Sequence, residues 1–172
     1  MSANTPLARI PVGVVVERRK AKSPWIDFVW RPVAVLPGEP ETKPWTQLGG
    51  SAELAMFYAG SADVSLFRSD TAQYRDNLAS GAPGLWVVLR PTGVEPPYEI
   101  AIVTADPSEG ESYTQSGTDL VESVPMPELA RALIEAFVAE HHVEQTFHKR
   151  KRDSADPEAL GRRAPAWKGG EE

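Results

Sequence analysis

The 172-residue chain contains no cysteine. That absence removes a disulfide scaffold, a cysteine nucleophile, a persulfide carrier, an iron–sulfur subunit and a thiolate zinc site. Long apolar runs are also missing, and nothing approaches the roughly 20 residues that a membrane-spanning helix needs. The opening residues, Met1 to Ile10, lack the charged head and apolar stretch of a secretory signal. A soluble cytoplasmic protein with no membrane partner is the expectation. What is present is ordinary for a globular domain: 41% apolar residues, 16 prolines and 13 glycines, in a length that suits one domain.

Charge is unevenly spread. Residues 1–148 carry 11 basic and 19 acidic side chains, a net -8, whereas residues 149–172 carry 7 basic and 5 acidic, a net +2. The switch falls at Lys149, Arg150, Lys151 and Arg152. An acidic body disfavours general nucleic-acid binding, because phosphate neutralisation needs a basic face. This pattern predicts a flexible arm over 1–10, one domain over 11–148 and a basic, disordered tail over 149–172.

Within the domain, Val12 to Glu17 reads as a strand, because β-branched residues are concentrated there. Arg18 to Pro24 reads as a connection, and Phe28 to Leu36 as a second strand, with Pro32 pointing to an edge or a bulge. Residues 37–50 are rich in proline and glycine and read as irregular. Leu54–Tyr58 and Ala62–Phe67 suggest a hairpin turning at Gly60-Ser61. Asp70 with Gln73 has capping-box spacing, Tyr74 and Leu78 share a helix face, and Gly81 is placed to stop that helix. Leu85–Arg90 and Tyr98–Val103 read as an antiparallel pair. Asp106-Pro107-Ser108-Glu109 is a strong helix start, and that helix stops near Gly117. Leu120–Val124 is the last strand. A longer helix over 127–147 follows, offering Leu129, Leu133, Ala136, Phe137 and Val143 as its buried face.

The order of elements predicts an α+β fold: a curved antiparallel sheet or partial barrel of about seven short strands, two short helices and a longer C-terminal helix. A pleckstrin-homology-like barrel is one such arrangement, although helices between the strands fit it imperfectly.

Chemical motifs are sparse. His141, Glu144 and His148 fall at i, i+3 and i+7, a spacing able to hold Zn²⁺ or Fe²⁺ if the helix persists. The plainer reading is a polar helix end, where cationic histidines suit the negative pole. No G-x-S-x-G elbow, phosphate-binding loop or dinucleotide fingerprint occurs. Gly49-Gly50-Ser51 fits a turn as well as an anion loop, and Glu109 and Glu111 stand where acids suit a helix start. The reading is therefore of a protein without catalytic residues and without a cofactor, the alternative being a small metal- or ligand-binding enzyme built on the histidines.

Tryptophan and arginine are more suggestive. Trp30 and Trp86 lie in strands and read as core. Trp25 follows Ser-Pro and Trp45 follows Lys-Pro, both in connections, where each fits a core role and an interface anchor about equally. Phe147 with Lys149, Arg150, Lys151 and Arg152 forms a compact cluster ahead of Arg162, Arg163 and Trp167. A loose tail of that composition can fold onto a partner protein or remain a solvated end. Nucleic-acid binding through it is a third reading.

Several stretches together resemble a known family. They are Pro11–Arg19, Trp30–Gly38, Ser80–Arg90, Ala101–Pro107, Val121–Pro127 and His141–Glu144 continuing to Lys149–Asp153. The pattern, spread over residues 10–153, resembles a bacterial family of uncharacterised small proteins whose genes tend to lie beside those for molybdenum-dependent formate dehydrogenases. The family carries no assigned active-site residues, so none transfer. The resemblance implies an accessory, assembly or small-subunit role beside a molybdopterin oxidoreductase. Its protein partner would be the formate dehydrogenase or its maturation factors.

Overall fold

The computed structural model describes residues 4–143. Seven strands form two antiparallel sheets. The first, ordered β2-β1-β4-β3, comprises β1 (Ala8–Lys20), β2 (Phe28–Pro37), β3 (Thr46–Gly50) and β4 (Leu54–Leu66). The second, ordered β6-β5-β7, comprises β5 (Gly84–Pro91), β6 (Tyr98–Thr104) and β7 (Leu120–Pro125). Helices α1 (Thr71–Ala79), α2 (Pro107–Ser112) and α3 (Glu128–His141) complete the α+β fold. The sheets do not close into a barrel.

Strand alternation explains the core. Ile10, Val12, Val14 and Val16 occupy one face of β1 and are buried with Val64 and Leu66 of β4. Leu85, Val87 and Leu89 of β5 meet them from the second sheet, and Tyr74, Ile134 and Phe137 join from the helices. The opposite face of β1 is covered locally: a Cβ added at Gly13 would lie 2.9 Å from Tyr58 Cε2 and 3.2 Å from Pro40 Cδ. A side chain there would collide, so glycine is required by packing.

Several expectations need correction. β1 begins at Ala8, inside the stretch read as an arm, and runs on through Arg18, Arg19 and Lys20, which were expected in a connection. Thr46–Gly50 forms a strand within the region read as irregular. The Gly60-Ser61 hairpin does not exist. β4 is one strand whose two halves both pair with β1, and two halves folded against each other could not do that. Gly60 adopts φ +132° beside a register shift in which Tyr58 and Gly60 pair with Val15 and Val14, leaving Ala59 extra. The glycine signals a bulge rather than a turn.

Pro32 behaves as expected. β2 is an edge strand, and its pairing skips Val33 between Ala34 and Pro32. Asp106 caps α2, its Oδ1 accepting from Ser108 N at 2.9 Å. Asp70 makes no such cap; a 3-10 turn over Arg68–Asp70 leads into α1 instead. Helix α3 ends at His141, with His142 already extended, six residues short of the expected end. Its buried face is Ala130, Ile134 and Phe137, whereas Leu129, Leu133, Ala136 and Val143 are exposed. Among the described residues, no helix is long and apolar enough to cross a membrane.

Two polar devices fix the helices, one tying α1 to the strands and one tying α3 to α1. The buried Asn77 side chain donates from Nδ2 to Gly84 O (2.8 Å) and Ala105 O (2.9 Å), and its Oδ1 accepts from Gly84 N at 3.1 Å. Four residues past Tyr74, Leu78 shares its face and packs half-buried against the core. His142 closes the other end, 2.9 Å from Arg75 Nη1 and 3.0 Å from Thr71 Oγ1. A guanidinium has no acceptor, so His142 Nε2 accepts from Arg75 and Nδ1–H donates to Thr71.

Candidate functional site

The core-facing row of β1 ends in a charge. After Ile10, Val12, Val14 and Val16 the next residue on that face is Arg18, which pairs with Trp30 on β2 and Ala55 on β4. Its guanidinium carbon lies 4.4 Å from the Phe28 ring centroid, 5.1 Å from Phe57 and 5.8 Å from Trp30. Phe28 and Phe57 stand on the two neighbouring strands, diagonal to Arg18, so the sheet register itself supplies aromatic faces on either side. Such contacts stabilise a cation by about 0.5–2 kcal/mol each, depending on desolvation. Arg18 Nε is nonetheless buried without a hydrogen-bond acceptor among the described residues. An unmet buried donor costs about 1–3 kcal/mol.

The rings continue outward. Trp30 meets Phe57 at 5.5 Å, Trp45 edge-on at 5.8 Å and Tyr98 of β6 at 6.3 Å. Phe28, Trp30, Trp45, Phe57 and Tyr98 are all half-buried, so each keeps part of its ring at the surface. Trp45 reaches its place through a left-handed backbone at φ +66°, a conformation that costs a non-glycine residue about 1–2 kcal/mol. Its N–H donates to Tyr58 O, and its indole packs on Trp30, which together hold that geometry.

The same end of the first sheet is strongly basic. Residues 18–22 carry Arg18, Arg19, Lys20 and Lys22 with no acidic side chain among them. An open groove of about 360 Å³ is lined by Arg19, Lys20, Lys22, Glu53 and Leu54. Glu17 is buried on the opposite face from Arg18 and pairs with Arg19 at 3.2 Å and Arg31 at 3.8 Å. Beyond Lys20 the connection to β2 carries Trp25, 91% exposed, followed by Ile26 at 57%. Val29, at the start of β2 and facing away from Arg18, is 53% exposed.

The structure thus separates the two tryptophans. Trp25 stands in solvent, held locally by its N–H donating to Ser23 Oγ at 3.2 Å. Trp45 is built into the aromatic cluster. Trp30 and Trp86 are half-buried; Trp30 packs on the core, and Trp86 lies against Gly110, where an added Cβ would come within 2.3 Å of its ring. His141 ends α3 with its ring 4.5 Å from Phe137, and His142 is engaged by Thr71 and Arg75. Glu144, Phe147, His148, Lys149, Arg150, Lys151, Arg152, Arg162, Arg163 and Trp167 lie outside the described residues. Among the described residues no three histidine or acidic side chains converge as a metal site would require.

Sequence reasoning missed Arg18, Phe28, Phe57 and Tyr98. The available signal was the alternation of β1, which places Arg18 on the apolar face once the strand is known to continue past Glu17. No curated protein and no solved structure gives a match to the chain. A family model does match over residues 11–151, so most of the chain, including the whole aromatic cluster, belongs to the family described as "Protein of unknown function (DUF3305)".

Proposed function

We propose that this chain is a non-catalytic interaction protein, acting as an accessory, assembly or small-subunit component beside a molybdopterin formate dehydrogenase. The observation that carries the interaction reading is the exposed Trp25-Ile26 pair in the β1–β2 connection, which leads directly into Phe28, the ring that packs on Arg18. A tryptophan 91% exposed gains little from folding. At an interface, tryptophan and arginine are the residues that dominate binding energy. The dehydrogenase as partner rests on the resemblance of residues 10–153, and the basic residues from Lys149 to Arg152 would add an electrostatic contact.

The test is affinity purification of the tagged full-length chain from native cells. Formate dehydrogenase or its maturation factors are expected to copurify with the wild type and to be lost with Trp25→Ala. Recovery of no such partner, with dehydrogenase activity intact in cells lacking the gene, overturns the reading.

A further inference from the structure

Arg18 has cationic charge without a counter-ion. Among the described residues its guanidinium faces three rings and pairs with no carboxylate, and its Nε lacks an acceptor. The nearby Glu17 is directed to the other face and is taken by Arg19 and Arg31. A guanidinium stacked on aromatic faces is held flat, and its edge donors stay in the fork geometry that matches a carboxylate. The surrounding rings of Phe28, Trp30, Trp45 and Tyr98 offer partly exposed apolar surface beside that fork.

We propose that Arg18 and these rings form a carboxylate-binding ledge whose ligand is an acidic segment of a partner protein, with an aromatic or large apolar residue beside the carboxylate. This rests on the interaction reading above and adds the chemistry of what is recognised. Charge complementarity selects the occupant. In a body of net -8 over residues 1–148, four cations are gathered within residues 18–22, which draws an acidic segment to this end of the body rather than to its acidic remainder. A phosphate could take the same fork. A nucleic-acid strand, however, is charged at every nucleotide and would carry that charge past the fork onto Asp27, Glu53 and a body of net -8, whereas a single carboxylate stays at the fork.

The full-length protein is applied to an array of peptides combining glutamate or aspartate with one aromatic residue, alongside the same array with every carboxylate replaced by its amide. Binding to the acidic array and not to the amide array is expected. For the best peptide, fluorescence anisotropy is expected to show affinity reduced about tenfold or more by Arg18→Gln, with the thermal transition kept. If Arg18→Gln fails to fold, Arg18→Met, which retains the stem, replaces it, and the amide array already tests the wild type. Equal binding of amide and acidic peptides, or no effect of the Arg18 variants, overturns the proposal. So does displacement of the peptide by a single-stranded oligothymidylate that itself binds through Arg18. Peptide binding without copurification of the dehydrogenase removes that partner and keeps the ledge; copurification without peptide binding does the reverse.

Discussion

Arg18 and Phe28 are joined by a cation–π contact of 4.4 Å, although they sit on neighbouring strands two residues out of direct register. Arg18 pairs with Trp30 and Phe28 with Lys20, so the contact is a diagonal across the β1–β2 ladder. Arg18 thus continues an apolar row with a charge.

If Arg18 were there for stability, removing it should be costly. Little loss is expected instead. Arg18→Met keeps the apolar stem, loses cation–π contacts and removes an unmet donor, so the two effects nearly cancel and the change is within about 1 kcal/mol. Urea unfolding of wild type and variant measures it. A loss above about 3 kcal/mol would assign Arg18 to the fold.

Helix α3 gives a test of which face is buried. Ile134→Ala empties a fully buried site and is expected to cost about 2–5 kcal/mol. Leu133→Ala, next to it and 46% exposed, is expected to cost less than about 1 kcal/mol. The same unfolding titration compares them, and equal losses would contradict the observed face.

Asn77 satisfies buried backbone groups of two strand ends at once. Asn77→Ala leaves Gly84 N and one acceptor interaction at Ala105 without the partner they have in the fold. The expected loss is about 2–4 kcal/mol, readable as a lower denaturation midpoint. Hydrogen exchange at Gly84 should accelerate in the same variant.

Tyr74 supplies a pH prediction. Burial foremost pushes its phenol from the usual 10 up to about 12, with nearby Asp70 and Asp106 adding to the shift and the bond from Phe67 N opposing it. The unfolded chain therefore gives up this proton first as pH rises. The associated stability is fully present below pH 10 and is lost as pH climbs through about 12. Tyr74→Phe should show a flatter fall over that window than the wild type, and parallel curves would contradict the assignment.

Much of the architecture was legible in local sequence. Asp106-Pro107 announced α2 because capping and proline geometry act within one turn, and Pro32 announced an irregular edge because its missing N–H has few other places in a sheet. The errors came where local chemistry is ambiguous. Gly60 with Ser61 suits a turn or a bulge, and the choice was made by β1, which pairs along both halves of β4. On α3, leucines at 129 and 133 satisfy helical spacing as well as Ala130 and Ile134 do. The core selected the smaller Ala130 at a buried position, information carried by tertiary packing rather than by periodicity.

The candidate site was legible in part. For Trp25 the place after Ser-Pro left a core role and an interface anchor equally open, and its 91% exposure removes the core role. Trp45 could not be assigned, because the left-handed backbone that seats it on Trp30 leaves no mark on a tryptophan. The basic cluster at 18–22 resembled a solvated connection until the length of β1 separated Arg18 from Arg19 onto opposite faces.

On the interaction reading proposed above, the β1–β2 end of the first sheet is a docking surface. The decisive experiment is affinity purification from native cells with the Trp25→Ala, Arg18→Met double variant beside the wild type. The double variant is expected to keep the wild-type thermal transition and no longer to recover the partner that the wild type holds. Undiminished recovery of that partner by a folded double variant would contradict it.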